Sequence, residues 1–400
     1  MRTFIAALTA ACALCSAPAM AQTSKPSPAP LASPPAAPSP TPTPSPSPSP
    51  TPRAWQASGF AATSFNAPSN GRGSGFAFSN GTLSRVFDTV NRQPMLNAVN
   101  VQLVKTGTIG GKLELTAGQN ADVIASYPTA NNNSFDITQA YLSYTGGPFT
   151  LIGGKFATLA GAEVIEDPSN VNVSRSILFG YAVPFTHTGA RLTYAPSALW
   201  AIIGGVNNGW DNTKGNGTGA KTAEAGIAYN GAVIALAAQG YSGTERISNA
   251  AWTFNPAAPL GRRTLIDLVG TYHATPKLTF QANFDSGAQA NAPIVNGSGV
   301  QIATGRATWN GLAGYATYQL NTKLSAALRS ETFADNGGYR TTYDQRWRET
   351  TLTFAYAPSA PVVFRLEGRA DSSSRSIWTD NGGALRNAMQ SVAAQVLVKF

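Results

Sequence analysis

The sequence predicts an all-β fold, specifically a transmembrane antiparallel β-barrel of about 16 strands with a long loop that folds inward and constricts the lumen. Three observations favour this fold. No window of 18 or more residues after position 53 is continuously apolar, which removes transmembrane helices as candidates there. Polar and apolar residues alternate with a period of two in many short segments. The connectors between these segments alternate between short and long, which is typical of membrane-spanning barrels.

The alternation separates an apolar face from a charged face in the segments 277–285, 324–331 and 362–371. An arginine on the lipid face at mid-membrane costs about 2–4 kcal/mol, so we expect the charged faces to point into a water-filled lumen. Any single strand of this kind would also suit a soluble antiparallel sheet, and it is the number of such strands that favours the membrane. The pore-lining residues predicted in this way are Arg329, Glu331, Arg365, Glu367, Arg369 and Asp371.

Sixteen strands follow from this pattern, each near the length that a tilted spanning strand needs. They are predicted near 54–66, 95–106, 110–120, 135–145, 148–158, 184–195, 198–207, 219–229, 231–241, 263–274, 277–287, 304–320, 323–333, 346–357, 360–371 and 388–400. The long connectors are predicted at 67–94, 121–134, 159–183, 208–218, 242–262, 288–303, 334–345 and 372–387. An even strand count places both chain termini on the side of the short turns, which is expected to be the periplasm.

The N-terminus predicts export. Residues 1–21 combine a positive Arg2, an apolar stretch and Ala19-Met20-Ala21, which together indicate a cleaved signal peptide. The two cysteines, Cys12 and Cys15, lie in this segment, so we expect no thiol or disulfide in the mature chain. Residues 22–53 are rich in Pro, Ser and Thr and predict a disordered periplasmic spacer, which either reaches the cell wall or is a passive leader. The barrel is predicted to span 54–400.

The C-terminus shows a membrane-type final strand. Residues 390–400 alternate, and the last residue, Phe400, is aromatic. A terminal Phe on an alternating strand resembles the signal by which bacterial outer-membrane barrels are recognised for assembly. We therefore expect the barrel-assembly machinery to be a partner through Phe400, and the outer membrane to be the location.

The segment from Phe149 to Asp211 joins two alternating stretches through a polar loop that is too long for a hairpin turn. Its short motifs are Gly154-Lys155-Phe156, Gly161-Ala162-Glu163, Ser174-Arg175-Ser176, Pro184 with His187-Thr188-Gly189, and Asn208-Gly209-Trp210-Asp211. In this combination and order they resemble the OmpL-like family of outer-membrane β-barrel porins. The resemblance implies passive diffusion of small hydrophilic solutes and ions, and extends by strand pattern from Trp55 to Phe400.

Charged residues in and beside this loop suggest where the pore is narrowest. Opposed acids and bases across a lumen would order water and filter ions. Alternatively, the loop acids are solvated or paired locally, and the bases on the strands are balanced by neighbouring carboxylates. The residues predicted to form the constriction are Lys155, Glu163, Glu166, Asp167, Arg175, His187 and Arg191.

The net charge suggests a weak anion preference. The chain carries +9, of which Arg2, Lys25 and Arg53 precede the barrel with no acidic residue, leaving about +6 in the barrel. The positive charge is dispersed along alternating strands rather than clustered, and together with export this argues against nucleic acid as a partner. The expected partners are small solutes, outer-membrane lipid and lipopolysaccharide, and further copies of the chain in a homotrimer.

Three alternatives remain open from the sequence. A substrate-selective channel would use Trp210, Trp309 and Tyr315 as a track for sugars or small metabolites. An outer-membrane hydrolase would use His187. A structural barrel would tether the membrane to the cell wall through the Pro-rich leader. Clustered ligands for a transition metal are absent from the sequence, and we predict no cofactor.

Overall fold

The computed structural model describes residues 55–70, 76–79, 83–126, 133–214, 219–247 and 259–400. The predicted signal peptide (1–21) and the predicted spacer (22–53) lie outside these residues. Both therefore stay predictions.

Sixteen antiparallel strands form a closed barrel, which confirms the predicted fold class. Each strand pairs with its neighbours in the barrel, and the first strand closes the ring by pairing with the last one. The strands are β1 Gln56–Pro68, β2 Pro94–Lys105, β3 Ile109–Ala117, β4 Phe135–Gly146, β5 Phe149–Ala157, β6 Thr186–Tyr194, β7 Trp200–Asn207, β8 Thr222–Asn230, β9 Ile234–Arg246, β10 Leu260–Thr275, β11 Leu278–Val295, β12 Gln301–Gln319, β13 Leu324–Asn336, β14 Gln345–Ser359, β15 Val362–Ser373 and β18 Ala388–Lys399.

The predicted faces are visible in the exposure of β15. Phe364 and Leu366 point outward and are 44% and 57% exposed, whereas Arg365 and Glu367 alternate with them and are 8% and 2% exposed. Since successive side chains of a strand point to opposite faces, one face of each strand meets lipid and the other meets the lumen. The cost of a charge in hydrocarbon explains why arginine and glutamate occupy the inner face.

The hairpin of β11 and β12 is longer than predicted, and the loop predicted at 288–303 was wrong. Pairing continues past a bulge after Gln289, and only residues 296–300 connect the two strands. A strand of 18 residues extends beyond the 9–11 that a bilayer requires. Outside the membrane the outer face of a strand need not be apolar. The two strands therefore stay paired there without the alternation of polar and apolar residues that marks a membrane-spanning segment. A second departure is a two-stranded sheet of β16 (Trp378–Thr379) and β17 (Leu385–Arg386) within a predicted loop.

Helical structure is confined to the connectors. Helix α1 spans Gln119–Ile124 after β3, a 3-10 turn spans Asp167–Ser169, and helix α2 spans Ile177–Tyr181 between β5 and β6. No helix in the described part of the chain is long and apolar enough to cross a membrane.

A large apolar cluster lies inside the barrel toward the long loops. Its rings come from loop segments and from inward faces of strands, and they pack around α2. The larger members are Phe76, Phe78, Phe87, Phe179, Tyr181, Phe185, Trp210, Trp309, Phe333, Tyr339, Trp347 and Trp378. The long-loop half of the lumen is therefore occupied by packed side chains.

Candidate pore constriction

The segment 158–185 between β5 and β6 has a defined internal structure. The Ser176 hydroxyl accepts a hydrogen bond from the Phe179 amide at 3.0 Å and caps α2. The Asn170 side chain bonds to the carbonyls of Val164 and Glu166 at 2.9 and 2.8 Å, which closes the chain around the 3-10 turn. These local bonds give the segment a fixed shape before any contact with the barrel wall is considered.

Carboxylates on the inner wall bind the backbone of this segment. Glu367 on β15 accepts hydrogen bonds from the amides of Val173 and Ser174 at 2.6 and 3.1 Å. Glu331 on β13 accepts from the amides of Ile177 and Leu178 at 2.7 and 3.1 Å, at the first residues of α2. Asp267 on β10 accepts from the amide of Gly161 at 3.0 Å. The segment is thus bound to three strands on one side of the barrel.

Arginines on the same wall bind the carbonyls of the segment. Arg365 donates to the carbonyl oxygens of Asp167 at 3.1 Å and Asn170 at 2.7 Å. Arg369 donates to the carbonyl of Arg175 at 2.6 Å. Five donors fixed in one plane suit arginine to this kind of multiple contact. The predicted pore-lining arginines are therefore engaged by the loop.

Arg329 connects the segment to a network of ion pairs along the wall. Its guanidinium lies 2.7 Å from the Glu163 carboxylate in the segment and 3.0 Å from the Glu349 carboxylate on β14. Farther along the wall, Arg369 pairs with Asp371 at 2.8 Å, and Asp371 also pairs with Arg85 from the loop after β1. Since these charged groups are buried, removing one of them would leave its partner as an uncompensated buried charge and destabilise the protein.

The far edge of the segment reaches β3. The Lys112 ammonium lies 2.7 Å from the Glu114 carboxylate and 3.8 Å from the Glu166 carboxylate. Asn120 in α1 donates to Asp167 at 2.9 Å. Burial, followed by the charge of Glu114, raises the pKa of Glu166 to about 7. The segment therefore touches opposite sectors of the wall, and its ionisable contact on the β3 side titrates near neutrality.

The structure separates the seven predicted constriction residues into two groups. Glu163, Glu166, Asp167 and Arg175 lie in the segment, where Arg175 donates to the Ile165 carbonyl at 2.8 Å and lies 3.4 Å from Asp167. Lys155, His187 and Arg191 lie at its base on β5 and β6.

The three residues at the base of the segment have other partners. Lys155 pairs with Asp136 at 2.9 Å, and Arg191 pairs with Glu224. His187 lies 3.3 Å from the Gly209 carbonyl through Nδ1 and stacks on Tyr241 with ring centroids 5.0 Å apart. These contacts place the three side chains in the wall rather than opposite the loop acids.

Exposure distinguishes Glu166 from the other predicted residues. Its side chain is 18% exposed, whereas the other twelve predicted site residues are at most 8% exposed. Sequence reasoning missed Lys112, Glu114 and Asn120 on the opposite wall and Asp267 beneath the segment. The alternation of β3 placed Lys112 and Glu114 on one face, but nothing in the sequence showed which face of which strand the loop would meet.

The aromatic residues considered as a solute track pack against the segment. Trp309 donates from its indole nitrogen to the Ala182 carbonyl at 3.0 Å, and Trp210 meets it edge-on with ring centroids 6.0 Å apart. Together with Tyr315, these rings are at most 7% exposed. Within the described ranges, no group of three or more His, Cys, Asp or Glu side chains is placed to hold a metal ion.

This barrel is similar to a known protein family and to several solved structures. The family model described as "Putative beta-barrel porin-2, OmpL-like" matches residues 56–400. The chain belongs to this family. Membership makes it an outer-membrane porin, a channel for passive diffusion of small hydrophilic solutes, and indicates a non-enzymatic role. No curated protein sequence matches the porin.

Solved structures similar to the porin are also barrels. The trimer form of OmpT, an outer-membrane protein of Vibrio cholerae, has a TM-score of 0.58 at 10% identity, with 87% of this chain and 99% of that chain covered. The outer-membrane channel DcaP of Acinetobacter baumannii has a TM-score of 0.58 at 13% identity, covering 86% and 97%. An anion-selective porin from Comamonas acidovorans has a TM-score of 0.56 at 9% identity, covering 87% and 99%. At these identities the likeness shows the fold.

Proposed function

We propose that the segment 158–185 forms the constriction of this porin, and that solutes pass along its exposed edge. The observation that carries the proposal is the bonding of the segment backbone to inward-facing side chains of β10, β13 and β15. Around the 3-10 turn of the segment, Glu166, Ser169 and Val171 keep exposed surface although their neighbours are bound to the wall, so the permeation path follows the side of the segment that bears these three residues. Ser169 is exposed and Val171 is 38% exposed.

Ion preference in this proposal is set locally rather than by the net charge of the chain. The predicted pore-lining arginines, Arg329, Arg365 and Arg369, are paired with carboxylates or bound to carbonyls. At the β3 side of the segment, Lys112 and Glu166 are partly exposed and form a charged group with the buried Glu114. With Glu166 ionised, this group carries one net negative charge, which favours cations weakly. With Glu166 protonated it is neutral.

Thiol modification of single cysteines tests the position of the path, because residues 55–400 contain no native cysteine. Ser169→Cys and Val171→Cys would be treated with a bulky charged methanethiosulfonate while single channels are recorded in a planar bilayer. We expect a stepwise fall in conductance for both. Ala360→Cys, in the exposed short turn between β14 and β15, is the matched control and should leave conductance unchanged. Unaltered current in fully modified Ser169→Cys and Val171→Cys channels would refute the proposal.

We also propose that the short turns and both termini face the periplasm, and that the porin assembles as a homotrimer. The start of β1 and the end of β18 lie at the short-turn end, where the amide of Phe400 bonds to the Gly59 carbonyl at 3.0 Å. Protease access to the leader in intact cells tests the orientation. Cross-linking of the membrane-inserted porin tests the trimer, and a monomer as the sole species would contradict it.

A further inference from the structure

The outward faces of β10, β12 and β14 repeat an Arg-x-Thr motif at their long-loop ends. The motifs are Arg262 to Thr264, Arg306 to Thr308 and Arg348 to Thr350, and β14 adds a second outward arginine, Arg346. All four arginines are exposed, and the threonines on the same faces are half-buried. The three motifs begin more than 40 residues apart along the chain, so the repeat becomes apparent only when the strands are placed in the barrel.

The same three faces end in tyrosine at the short-turn side. Tyr272, Tyr318 and Tyr356 are 38%, 46% and 46% exposed, and the outward residues before them are mostly apolar, including Leu268 and Phe354. Tyrosine is typical of the interfacial belt of a membrane barrel. Each face therefore runs from arginine at one membrane edge to tyrosine at the other.

The distance between arginine and tyrosine matches the membrane. Arg262 precedes Tyr272 by ten residues, which span roughly 33 Å along a strand. A tilt of about 40° reduces this to roughly 25 Å along the membrane normal, the height of the apolar band of a barrel. Arg262 and Arg346, each ten residues before the tyrosine of its strand, thus lie level with the lipid headgroups on the long-loop side, and Arg306 and Arg348, at twelve and eight residues, lie two residues to either side of that level.

These four arginines differ from the inward-facing arginines in their partners. None of the four guanidinium groups lies within 4 Å of a carboxylate in the described part of the chain, whereas inward-facing Arg329, Arg369 and Arg191 are all paired. They are also confined to one side of the barrel. On β1 to β8, the lysines and arginines of the strands either face inward or, like Lys105, lie at the short-turn end.

We propose that this arginine row binds the phosphate groups of phosphorylated lipid headgroups in the outer leaflet. Guanidinium matches phosphate geometry through two parallel hydrogen bonds, and the neighbouring threonine hydroxyl can add another donor. Each basic side chain near an anionic membrane surface strengthens binding by roughly fivefold. The row on three alternate strands therefore holds a patch of phosphorylated lipid against β10 to β14.

The amount of lipid that the folded porin retains tests whether the arginine row binds lipid phosphates. Detergent-solubilised porin would be incubated with diphosphoryl lipid A or with the same lipid after removal of its phosphates, and bound lipid counted by native mass spectrometry. We expect at least tenfold less retention of the dephosphorylated lipid. A variant with Gln at positions 262, 306, 346 and 348 should retain at least tenfold less diphosphoryl lipid A. Added inorganic phosphate should not displace the lipid, because binding uses several headgroups held on one surface.

A matched control removes the same number of charges from the opposite membrane edge. Lys105, Lys277, Lys323 and Lys399 lie at the short-turn side, and replacing all four by Gln should leave lipid retention unchanged. Heat-modifiable gel migration verifies that each variant is folded. Equal retention by the arginine variant and the wild type would overturn the proposal, as would an equal loss in the lysine control or displacement by millimolar inorganic phosphate.

Discussion

Removing the Glu331 carboxylate should loosen the constriction without opening the barrel wall. Glu331 accepts hydrogen bonds from the amides of Ile177 and Leu178 at the start of α2. A buried amide that loses its acceptor costs about 1–3 kcal/mol, so Glu331→Ala, which leaves two amides without one, weakens docking of the segment by about 3 kcal/mol. A loss of 3 kcal/mol changes the ratio of docked to undocked segment by roughly 150-fold. The backbone pairing of β13 with β12 and β14 does not involve this side chain.

Single-channel recording in planar bilayers measures the effect. Glu331→Ala should show a larger mean conductance than the wild type, or frequent transitions to a larger substate, because the released segment no longer narrows the lumen. Glu245→Ala is the matched control, since Glu245 is a buried inward glutamate on β9 that bonds to Thr222 at 2.6 Å rather than to the segment.

Two results would refute this reasoning. If folded Glu331→Ala barrels give a conductance histogram that superimposes on that of the wild type, the two bonds do not hold the segment. If Glu245→Ala enlarges the pore equally, the effect arises from general loosening of the lumen rather than from the contact with α2.

Three further predictions concern other parts of the molecule. Burial raises the pKa of Glu166 to about 7, so cation preference measured by reversal potential should rise from pH 6 to pH 8 as this group ionises, and Glu166→Gln should remove the change. A Cβ on Gly287 would lie 2.1 Å from the Trp309 ring, so Gly287→Ala should cost about 1–3 kcal/mol in urea unfolding, whereas Gly314→Ala, with 3.9 Å of clearance, should cost far less. Deletion of Phe400 should slow outer-membrane assembly in cells, and an unchanged assembly rate would contradict its role as a recognition residue.

The strands were predictable because their determinants are local. A period of two and the cost of charge in hydrocarbon locate all sixteen barrel strands from residues a few positions apart. The β11–β12 hairpin was misjudged because its far end lies outside the membrane, where the alternation carries less information. There, Pro293 and several polar residues resemble a loop although the backbone remains paired.

The partners of the constriction segment could not be predicted in the same way. Alternation placed Glu331, Arg365 and Arg369 on inner faces, but it cannot show that they bind the backbone of one loop. That depends on the register of strands far apart in sequence and on the path of the segment. Lys112 was overlooked for the same reason, since its contact with Glu166 requires the segment to cross the lumen.

The contacts of the segment 158–185 with the wall also imply an order of assembly. The bond from Gly161 to Asp267 closes 106 residues, that from Ile177 to Glu331 closes 154, and that from Val173 to Glu367 closes 194. Contacts so distant in sequence form slowly, because long stretches of chain must be ordered first. The segment can therefore dock only after β10 to β15 have been brought together, so its contacts with the wall form late in the assembly of the barrel.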